Sequence, residues 1–186
     1  MRVVGGSARG RRLRAPAGRA TRPTADRVRE AIFDMLDTML ELEGATVVDL
    51  FAGSGALGIE ALSRGAARVV FVERAAPALA AIRANLESTG LAGARAEVVR
   101  ADALGWSAGA QHVTLALADP PYAFDDWASL LATLDAELAV LESDRPLEVP
   151  VTWEIVRHKR YGDTLVTVVR HAPAAEDGRR DQKGSP

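Results

Sequence analysis

The chain has 186 residues, of which 48% are hydrophobic and 26% charged, enough for one domain with a substantial core but not for two. No apolar run reaches the roughly 18 residues that a membrane span needs, and the first residues lack the apolar core of a secretory signal, so we expect a soluble, cytoplasmic protein. With no cysteine and three scattered histidines, we expect neither disulfides nor a metal site, and a monomer is the default expectation.

The chain opens with a basic arm. Residues 1–30 hold nine arginines and two acids, a net charge of +7, so the remainder carries −9 within a whole-chain charge of −2. Between Val3 and Ala15, short apolar ends alternate with glycines, a pattern that suits a small hairpin or an extended segment. A basic arm on an acidic body is the electrostatic signature of a protein that binds a polyanion. We therefore delimit an arm over residues 1–22 and a compact domain over residues 23–171.

A helix is predicted next, with Thr24 as its N-terminal cap. Apolar residues recur there at three- and four-residue intervals and would form one buried stripe: Val28, Ile32, Met35, Leu36, Met39 and Leu40. The helices predicted further along the chain span Leu57–Ser63, Ala78–Ser88 and Trp127–Ala136. Residues 172–186 are rich in Ala, Gly, Pro and charge, offer nothing apolar to bury, and are predicted to be disordered.

Short apolar runs alternate with these helices from residue 46 onward. The predicted strands are Thr46–Leu50, Arg68–Val72, Ala96–Arg100, Val113–Ala118, Leu138–Glu142, Thr152–Val156 and Thr164–Val169. This alternation predicts an α/β fold in which helices cover both faces of a parallel sheet. Only Arg157–Asp163 separates the last two strands, so these should form an antiparallel hairpin. Seven strands that end in a hairpin indicate a methyltransferase-like sheet and not an all-parallel dinucleotide fold.

A glycine-rich segment follows the first of these strands. The residues from Asp49 to Gly58 join a strand to a helix, the context in which glycine lets the backbone approach a bound ligand closely. Glu73 ends the next strand, twenty residues after Gly53, where a carboxylate can accept hydrogen bonds from the two hydroxyls of a ribose. The predicted cofactor site comprises Asp49, Phe51, Ala52, Gly53, Ser54, Gly55, Gly58, Glu73, Arg74, Asp102 and Ala103.

The acid at the start of this loop decides between two cofactors. Asp49 lies four residues before Gly53, where it would repel a dinucleotide pyrophosphate but favour the ammonium and sulfonium groups of S-adenosylmethionine. Asp102, just past the third strand, is placed to accept a hydrogen bond from an adenine amino group, and the Ala103 backbone is placed to contact the ring. We therefore expect S-adenosylmethionine as the cofactor.

A second motif, Asp119-Pro120-Pro121-Tyr122, ends the fourth strand. Open parallel sheets bind ligands beyond the carboxyl ends of their strands, so this segment should face the cofactor. The Asp119 carboxylate and the Pro120 carbonyl can accept hydrogen bonds from a planar amino group and leave its lone pair aimed at the methyl group, while the prolines fix the backbone. Tyr122 offers a face on which an extruded base can stack. These four residues predict methyl transfer to an amino group, achieved mainly by positioning.

With these residues, the chain resembles the bacterial 16S ribosomal RNA (guanine-N2)-methyltransferase family of the RsmD type, to about Arg170. Besides the two motifs above, the resemblance rests on Val3-Val4-Gly5-Gly6 with Gly10-Arg11-Arg12-Leu13, on Arg22-Pro23-Thr24 with Asp26-Arg27-Val28-Arg29-Glu30, and on Tyr161-Gly162-Asp163-Thr164. It implies a Rossmann-like class I S-adenosylmethionine-dependent methyltransferase that modifies guanine N2 in 16S ribosomal RNA, within an assembling small subunit.

The resemblance also implies that the arm contacts RNA phosphates, with Arg22, Arg27 and Arg29 near the mouth of the active site. The residues predicted to bind RNA are Arg9, Arg11, Arg12, Arg22, Thr24, Arg27 and Arg29. One departure is the stretch from Glu142 to Val151, which looks shorter than the family's usual passage into its final hairpin. The motifs alone leave three alternatives open: an adenine-N6 methyltransferase, a protein-glutamine methyltransferase, and a non-catalytic RNA-binding assembly protein.

Overall fold

The computed structural model of the chain describes residues 1–16 and 25–172. Within them, the strands of one sheet are β1 (Thr46–Leu50), β2 (Arg68–Glu73), β3 (Ala96–Arg100), β4 (Val113–Ala118), β5 (Ala136–Ser143), β6 (Trp153–Tyr161) and β7 (Thr164–His171). Their order in space is β3-β2-β1-β4-β5-β7-β6. Strands β1 to β5 run parallel, and β7 pairs antiparallel with both β5 and β6. The predicted α/β sheet of seven strands with a terminal antiparallel hairpin is confirmed.

Helices cover both faces of this sheet. They are α1 (Ala25–Leu36), α2 (Ala56–Ser63), α3 (Ala76–Thr89), α4 (Ala103–Ser107) and α5 (Trp127–Thr133). Successive strand residues point to opposite faces: Val47 packs in the core beneath α1, α2 and α3, and Val48 packs in the core beneath α4 and α5. Because both faces are buried, the central strands are nearly continuous apolar runs. The exception in β1 is Asp49, a buried acid at the edge where ligands bind.

The N-terminal segment packs against the body instead of extending from it as a separate arm. Val3, Ala8 and Leu13 are buried in the same core as α1 to α3. Its backbone is also tied to α2, since the amides of Val4 and Gly5 donate to the Glu60 carboxylate at 2.8 and 2.7 Å. A single antiparallel bridge joins Arg2 to Arg12. Residues 1–16 are therefore an integral part of the domain.

Two element boundaries around α5 differ from the prediction. The helix predicted over Trp127–Ala136 ends at Thr133, because Leu134 adopts extended backbone angles. Ala136 is already the first residue of β5, which pairs with Val113 of β4, and the strand predicted over Leu138–Glu142 is longer at both ends. The predicted stripe of α1 likewise extends past the end of that helix at Leu36, although Met39 and Leu40 still pack on the core.

The prediction that Arg157–Asp163 forms the hairpin connection is wrong. Strand β6 continues to Tyr161, and only Gly162 and Asp163 form the turn. Gly162 has a φ of 58°, which suits the first central position of a two-residue hairpin turn. Apolar periodicity cannot reveal the second half of β6, because it lies at the edge of the sheet and its side chains are polar and exposed.

Several predictions fall on residues outside the described ranges, namely the Thr24 cap, the phosphate contacts of Arg22 and Thr24, and the disordered tail, of which only Ala172 is described. In the part of the chain that the structure describes, none of the helices has the length and apolar character to cross a lipid bilayer.

Candidate active site

The two motifs meet where neighbouring strands β1 and β4 end. Two adjoining cavities, of about 250 and 600 Å³, open there and share Pro16, Phe51 and Pro121 in their walls. Of the predicted residues, the smaller cavity is lined by Asp49, Phe51, Ala52, Gly53, Ser54, Asp119, Pro120, Pro121 and Tyr122. The larger is lined by Phe51, Glu73, Arg74, Asp102, Ala103 and Pro121. The structure thus brings the predicted catalytic and cofactor residues together, except for Gly55 and Gly58.

The smaller cavity is strongly acidic. Asp49 is 2% exposed, and one of its carboxylate oxygens accepts a hydrogen bond from the Gly58 amide at 2.9 Å. Burial raises the pKa of Asp49 well above its ordinary value, and the nearby carboxylates of Asp119 and Glu73 raise it further, while the Gly58 amide opposes the shift. Asp49, Asp119 and Glu142 line this cavity beside Arg29, and three acids against one base favour a ligand with positive charge.

The glycines of the loop serve different purposes. Gly53 and Gly55 have φ values of 57° and 76°, which glycine adopts without strain. Gly58 lines neither cavity, and a Cβ added there would lie 2.4 Å from the Phe71 ring. Its role is therefore close packing of α2 on β2, together with the amide bond to Asp49. The predicted direct contact of Gly58 with the cofactor is not what this geometry supports.

The two acids of the larger cavity already bind backbone amides. Glu73 accepts from Gly53 with one oxygen at 2.9 Å, and from Arg74 and Ala75 with the other at 2.9 and 2.8 Å. These bonds lock the glycine loop to the end of β2. Asp102 caps α4 by accepting from the Leu104 amide at 3.1 Å. A carboxylate has about four acceptor sites, so both acids retain capacity for a ligand.

Three aromatic side chains pack in a row that begins at Phe51, which lines both cavities. Phe51 has a φ of 60°, unusual for a bulky residue, and its ring centroid lies 4.9 Å from that of Phe124. Phe124 in turn packs edge-on against Trp127 at 5.1 Å. Backbone strain of this kind persists only where surrounding contacts hold it, and it is concentrated at functional sites. The row gives the larger cavity an apolar side that suits a flat ring.

In the Asp119–Tyr122 segment, one residue is buried and the others are exposed to solvent. Pro120 is buried, whereas the Asp119 side chain is exposed toward the cavity and Tyr122 is 41% exposed. Arg145, from the short connection after β5, donates to the carbonyls of Tyr122 and Phe124, each at 3.4 Å. Arg145 therefore braces the loop that carries the Asp119 carboxylate and the Pro120 carbonyl.

Comparison with known proteins places this site in a family. The family model described as conserved hypothetical protein 95 matches residues 1–170. The chain belongs to this family. It is 39% identical over 184 residues to YlbH of Bacillus subtilis, covering 91% of this chain and 98% of that protein. It is 35% identical over 188 residues to the ribosomal RNA small subunit methyltransferase D of Escherichia coli, covering 95% and 92% of the two chains.

Structural similarity agrees with this assignment. The solved structure of yhhF from Escherichia coli matches with a TM-score of 0.80 and 31% identity, covering 92% of this chain and 97% of that one. The predicted membership of the RsmD-type family is confirmed. Within residues 1–16 and 25–172 of this family member, no group of three or more histidine, aspartate or glutamate side chains is arranged to hold a metal ion.

Sequence reasoning missed two buried residues that hold the site in this family member. The Asn85 side chain of α3 is fully buried and donates to the carbonyls of Arg14 and Ser54, both at 2.9 Å, while accepting from the Arg14 amide at 2.8 Å. It therefore joins the N-terminal segment to the glycine loop. The buried Glu60 of α2 holds the same N-terminal segment, because its carboxylate accepts from the Val4 and Gly5 amides. Neither residue stands in a local motif, so only the folded contacts reveal them.

The predicted phosphate contacts divide into two groups. Arg29 is 3% exposed, pairs with Asp26 at 2.8 Å, lies 3.6 Å from Glu60 and lines the smaller cavity, so it belongs to the wall of the candidate site and not to the outer surface. Its contact with RNA stays a prediction. Four others are exposed and stay predictions: Arg9, Arg11, Arg12 and Arg27. Arg11 donates to the Ser88 carbonyl at 3.2 Å in the last turn of α3.

Proposed function

We propose that this family member transfers a methyl group from S-adenosylmethionine to an amino group of ribosomal RNA, and that the acceptor is N2 of a guanine in 16S ribosomal RNA. The observation that carries the proposal is the opening of Asp49 and the Asp119–Tyr122 segment into one acidic cavity. Relatives named ribosomal RNA small subunit methyltransferase D, aligned over most of their length, support ribosomal RNA as the substrate.

The two cavities fit the two ends of S-adenosylmethionine, which supplies a methyl group on a positively charged sulfur. The larger cavity has the aromatic wall of Phe51 and Phe124, and in this proposal Glu73 accepts from ribose hydroxyls and Asp102 from an adenine amino group. The smaller cavity presents the Asp49 carboxylate, and an ionised Asp49 would bind the ammonium and sulfonium charges. A dinucleotide pyrophosphate would meet the same acids with unfavourable charge.

The Asp119–Tyr122 segment provides what an exocyclic amine needs. Its nitrogen is a weak nucleophile, since its lone pair is delocalised into the ring. Acceptance of its hydrogens by Asp119 and the Pro120 carbonyl would hold the lone pair toward the methyl carbon, with the base stacked on Tyr122. The nitrogen lone pair forms the new N–C bond, the S–C bond breaks with its electrons left on sulfur, and one amine proton passes to water. Positioning of this kind can lower a barrier by about 7–11 kcal/mol.

Substitution of Asp119 tests the proposal. Asp119→Ala should reduce methyl transfer from labelled S-adenosylmethionine to a 16S ribosomal RNA transcript or small-subunit particle by at least 100-fold, because an acceptor for the amine is lost. Calorimetry should show cofactor affinity within a few-fold of the wild-type value. Asp135→Ala, an acid of the opposite edge, is the control and should retain full activity.

Mass spectrometry of nucleosides from the reacted RNA identifies the acceptor. N2-methylguanine that forms with the wild-type protein and disappears with Asp119→Ala supports the assignment. N6-methyladenine, or methylglutamine in a ribosomal protein, would replace the guanine assignment with one of its alternatives. A wild-type protein that fails to bind S-adenosylmethionine would exclude an enzymatic role and favour a non-catalytic RNA-binding protein.

A further inference from the structure

The second half of edge strand β6 carries a basic surface to which the proposed chemistry assigns no role. Four consecutive residues, Arg157, His158, Lys159 and Arg160, are all exposed. In the described part of the chain, β6 is the outermost strand at its side of the sheet and pairs only with β7. Its basic side chains therefore project from both faces of an open edge. We call Arg157, Lys159 and Arg160 the β6 cations.

Within residues 1–16 and 25–172, the charge of this surface is not neutralised by ion pairs. Neither Arg157 nor Lys159 forms an ion pair with any described residue, and the Lys159 ammonium lies over the Tyr161 ring, 5.2 Å from its centroid. Arg160 makes a long hydrogen bond of 3.5 Å to the Asp144 carbonyl. Arg68, by contrast, has a carboxylate partner in Glu97. The β6 cations therefore leave a local positive field on a chain whose net charge is −2.

The position of the β6 cations ties them to the active-site cavity. Strand β6 runs parallel to β1, so its carboxyl end lies at the edge where the cavities open. Lys159 pairs with Val166, and Val166 pairs on its other side with Glu142, which lines the smaller cavity. Two strand spacings, about 10 Å, thus separate the Lys159 and Glu142 backbones. Thr164, next to the end of β6, lines the cavity too.

A lysine at a sheet edge can also serve only to prevent pairing with another chain. Preventing such pairing does not require a continuous run of basic residues, nor that the run lie at the end of β6 nearest the cavity. Residues two apart on one face, such as Arg157 and Lys159, stand about 6.6 Å apart along the strand and could engage neighbouring phosphates together.

We propose that the β6 cations bind backbone phosphates of the substrate RNA beside the target nucleotide, so that the strand of RNA crosses the end of β6 as its base enters the cavity. This proposal rests on the proposed function. Phosphate contacts position RNA without reading its sequence, so the surface sets affinity and orientation, while the cavity selects the base.

The test compares two double variants of equal charge change. Arg157→Ala with Lys159→Ala removes two β6 cations, and Arg95→Ala with Arg170→Ala removes two exposed arginines at the opposite edge of the sheet. Fluorescence anisotropy measures binding to a 16S ribosomal RNA transcript from 50 to 200 mM salt. Each lost phosphate contact lowers the slope of log affinity against log salt by roughly 0.7 to 0.9. The β6 variant should therefore lose about 1.4 to 1.8 from the slope and bind at least tenfold more weakly at 50 mM salt.

Activity measurements separate this proposal from the proposed function. The β6 variant should show a raised KM for RNA, an unchanged kcat at saturating RNA, and unchanged calorimetric affinity for S-adenosylhomocysteine, while the opposite-edge control behaves as wild type. Equal losses in both variants, or a β6 variant with the wild-type slope, would overturn the proposal. If the wild-type protein binds RNA through β6 but transfers no methyl group, the surface assignment stands and the proposed function fails.

Discussion

Asp49 is buried beside other carboxylates, so the free energy of unfolding depends on whether Asp49 is protonated, and hence on pH. Because its folded-state pKa is raised, its protonated form favours folding: that contribution is fully present below the ordinary aspartate range and is lost as pH rises through the folded-state value. Once Asp49 is ionised, the protein without cofactor holds a carboxylate that opposes folding. A bound cation would relieve this cost, which links cofactor binding to the ionisation of one residue.

Asp49→Asn should separate stability from cofactor affinity. Asparagine keeps an oxygen for the Gly58 amide but carries no charge, so the variant without cofactor should be more stable than wild type at pH 8. The difference should shrink as pH falls, since wild-type Asp49 then becomes neutral too. Affinity for S-adenosylmethionine should fall roughly 10- to 100-fold, as expected for loss of a charged hydrogen-bond partner. Urea denaturation between pH 5 and 8 and calorimetry measure the two effects; a variant less stable at every pH contradicts this account.

The residues of the two motifs could be located from the sequence, because chain spacing places them at strand ends. Asp49, Glu73 and Asp119 follow strands whose apolar runs are unmistakable, so their convergence at one edge follows from topology. Asn85 and Glu60 could not be found in this way, since their partners lie 71 and about 55 residues away and no local pattern marks them. The burial of Arg29 was missed for the same reason.

At the scale of elements, the N-terminal segment depends on one buried acid. Glu60 is fully buried, accepts from the amides of Val4 and Gly5, and contacts Arg64 at 3.0 Å and Arg29 at 3.6 Å. Assembling such a buried cluster adds little to the stability of the fold. Removing one partner nevertheless costs much stability, because the remaining charges and amides stay buried without compensation. The segment in turn supplies Met1 and Pro16 to the cavity walls.

Glu60→Gln should therefore destabilise the protein by about 3–5 kcal/mol and loosen residues 1–16. Asp37→Asn is the matched control, because Asp37 is half exposed and pairs with Arg64 at 3.0 Å; its loss should cost less than about 1 kcal/mol. Urea denaturation gives the stabilities, and hydrogen exchange reports on the N-terminal amides. Similar stabilities for the two variants would show that Glu60 does not anchor the segment.

Elements with a strong apolar pattern were predictable to within a few residues, and polar ones were not. Strands β1, β3 and β4 match their predicted bounds. The five-residue helix α4 was missed because it is shorter than any periodic window. The exposed half of β6 was missed because hydrogen bonding to β7, and not burial, makes it a strand.

For the whole molecule, the two adjoining cavities predict a large response to cofactor. S-adenosylhomocysteine at 100 times its dissociation constant should stabilise the protein by about 2.7 kcal/mol, which for a chain of this size corresponds to a rise in Tm of roughly 5–11 °C. NAD should produce no shift, because its pyrophosphate would face Asp49 and Glu73. Thermal unfolding with each ligand measures this, and stabilisation by NAD would contradict the cofactor assignment.

The parallel part of the topology was predictable because parallel strands need crossover connections, and helices join β1 to β5, whereas the connections after β5 and β6 contain no helix. Sequence reasoning could not place the last strand within the sheet, and that placement affects how the chain is made. Strand β7 lies between β5 and β6 although it is the last to be synthesised. A nascent chain that has emerged only as far as Tyr161 can pair β1 to β5, but β6 then has no neighbouring strand. The sheet closes only when residues 164–171 insert, so one edge of the protein must fold after nearly all of it has left the ribosome.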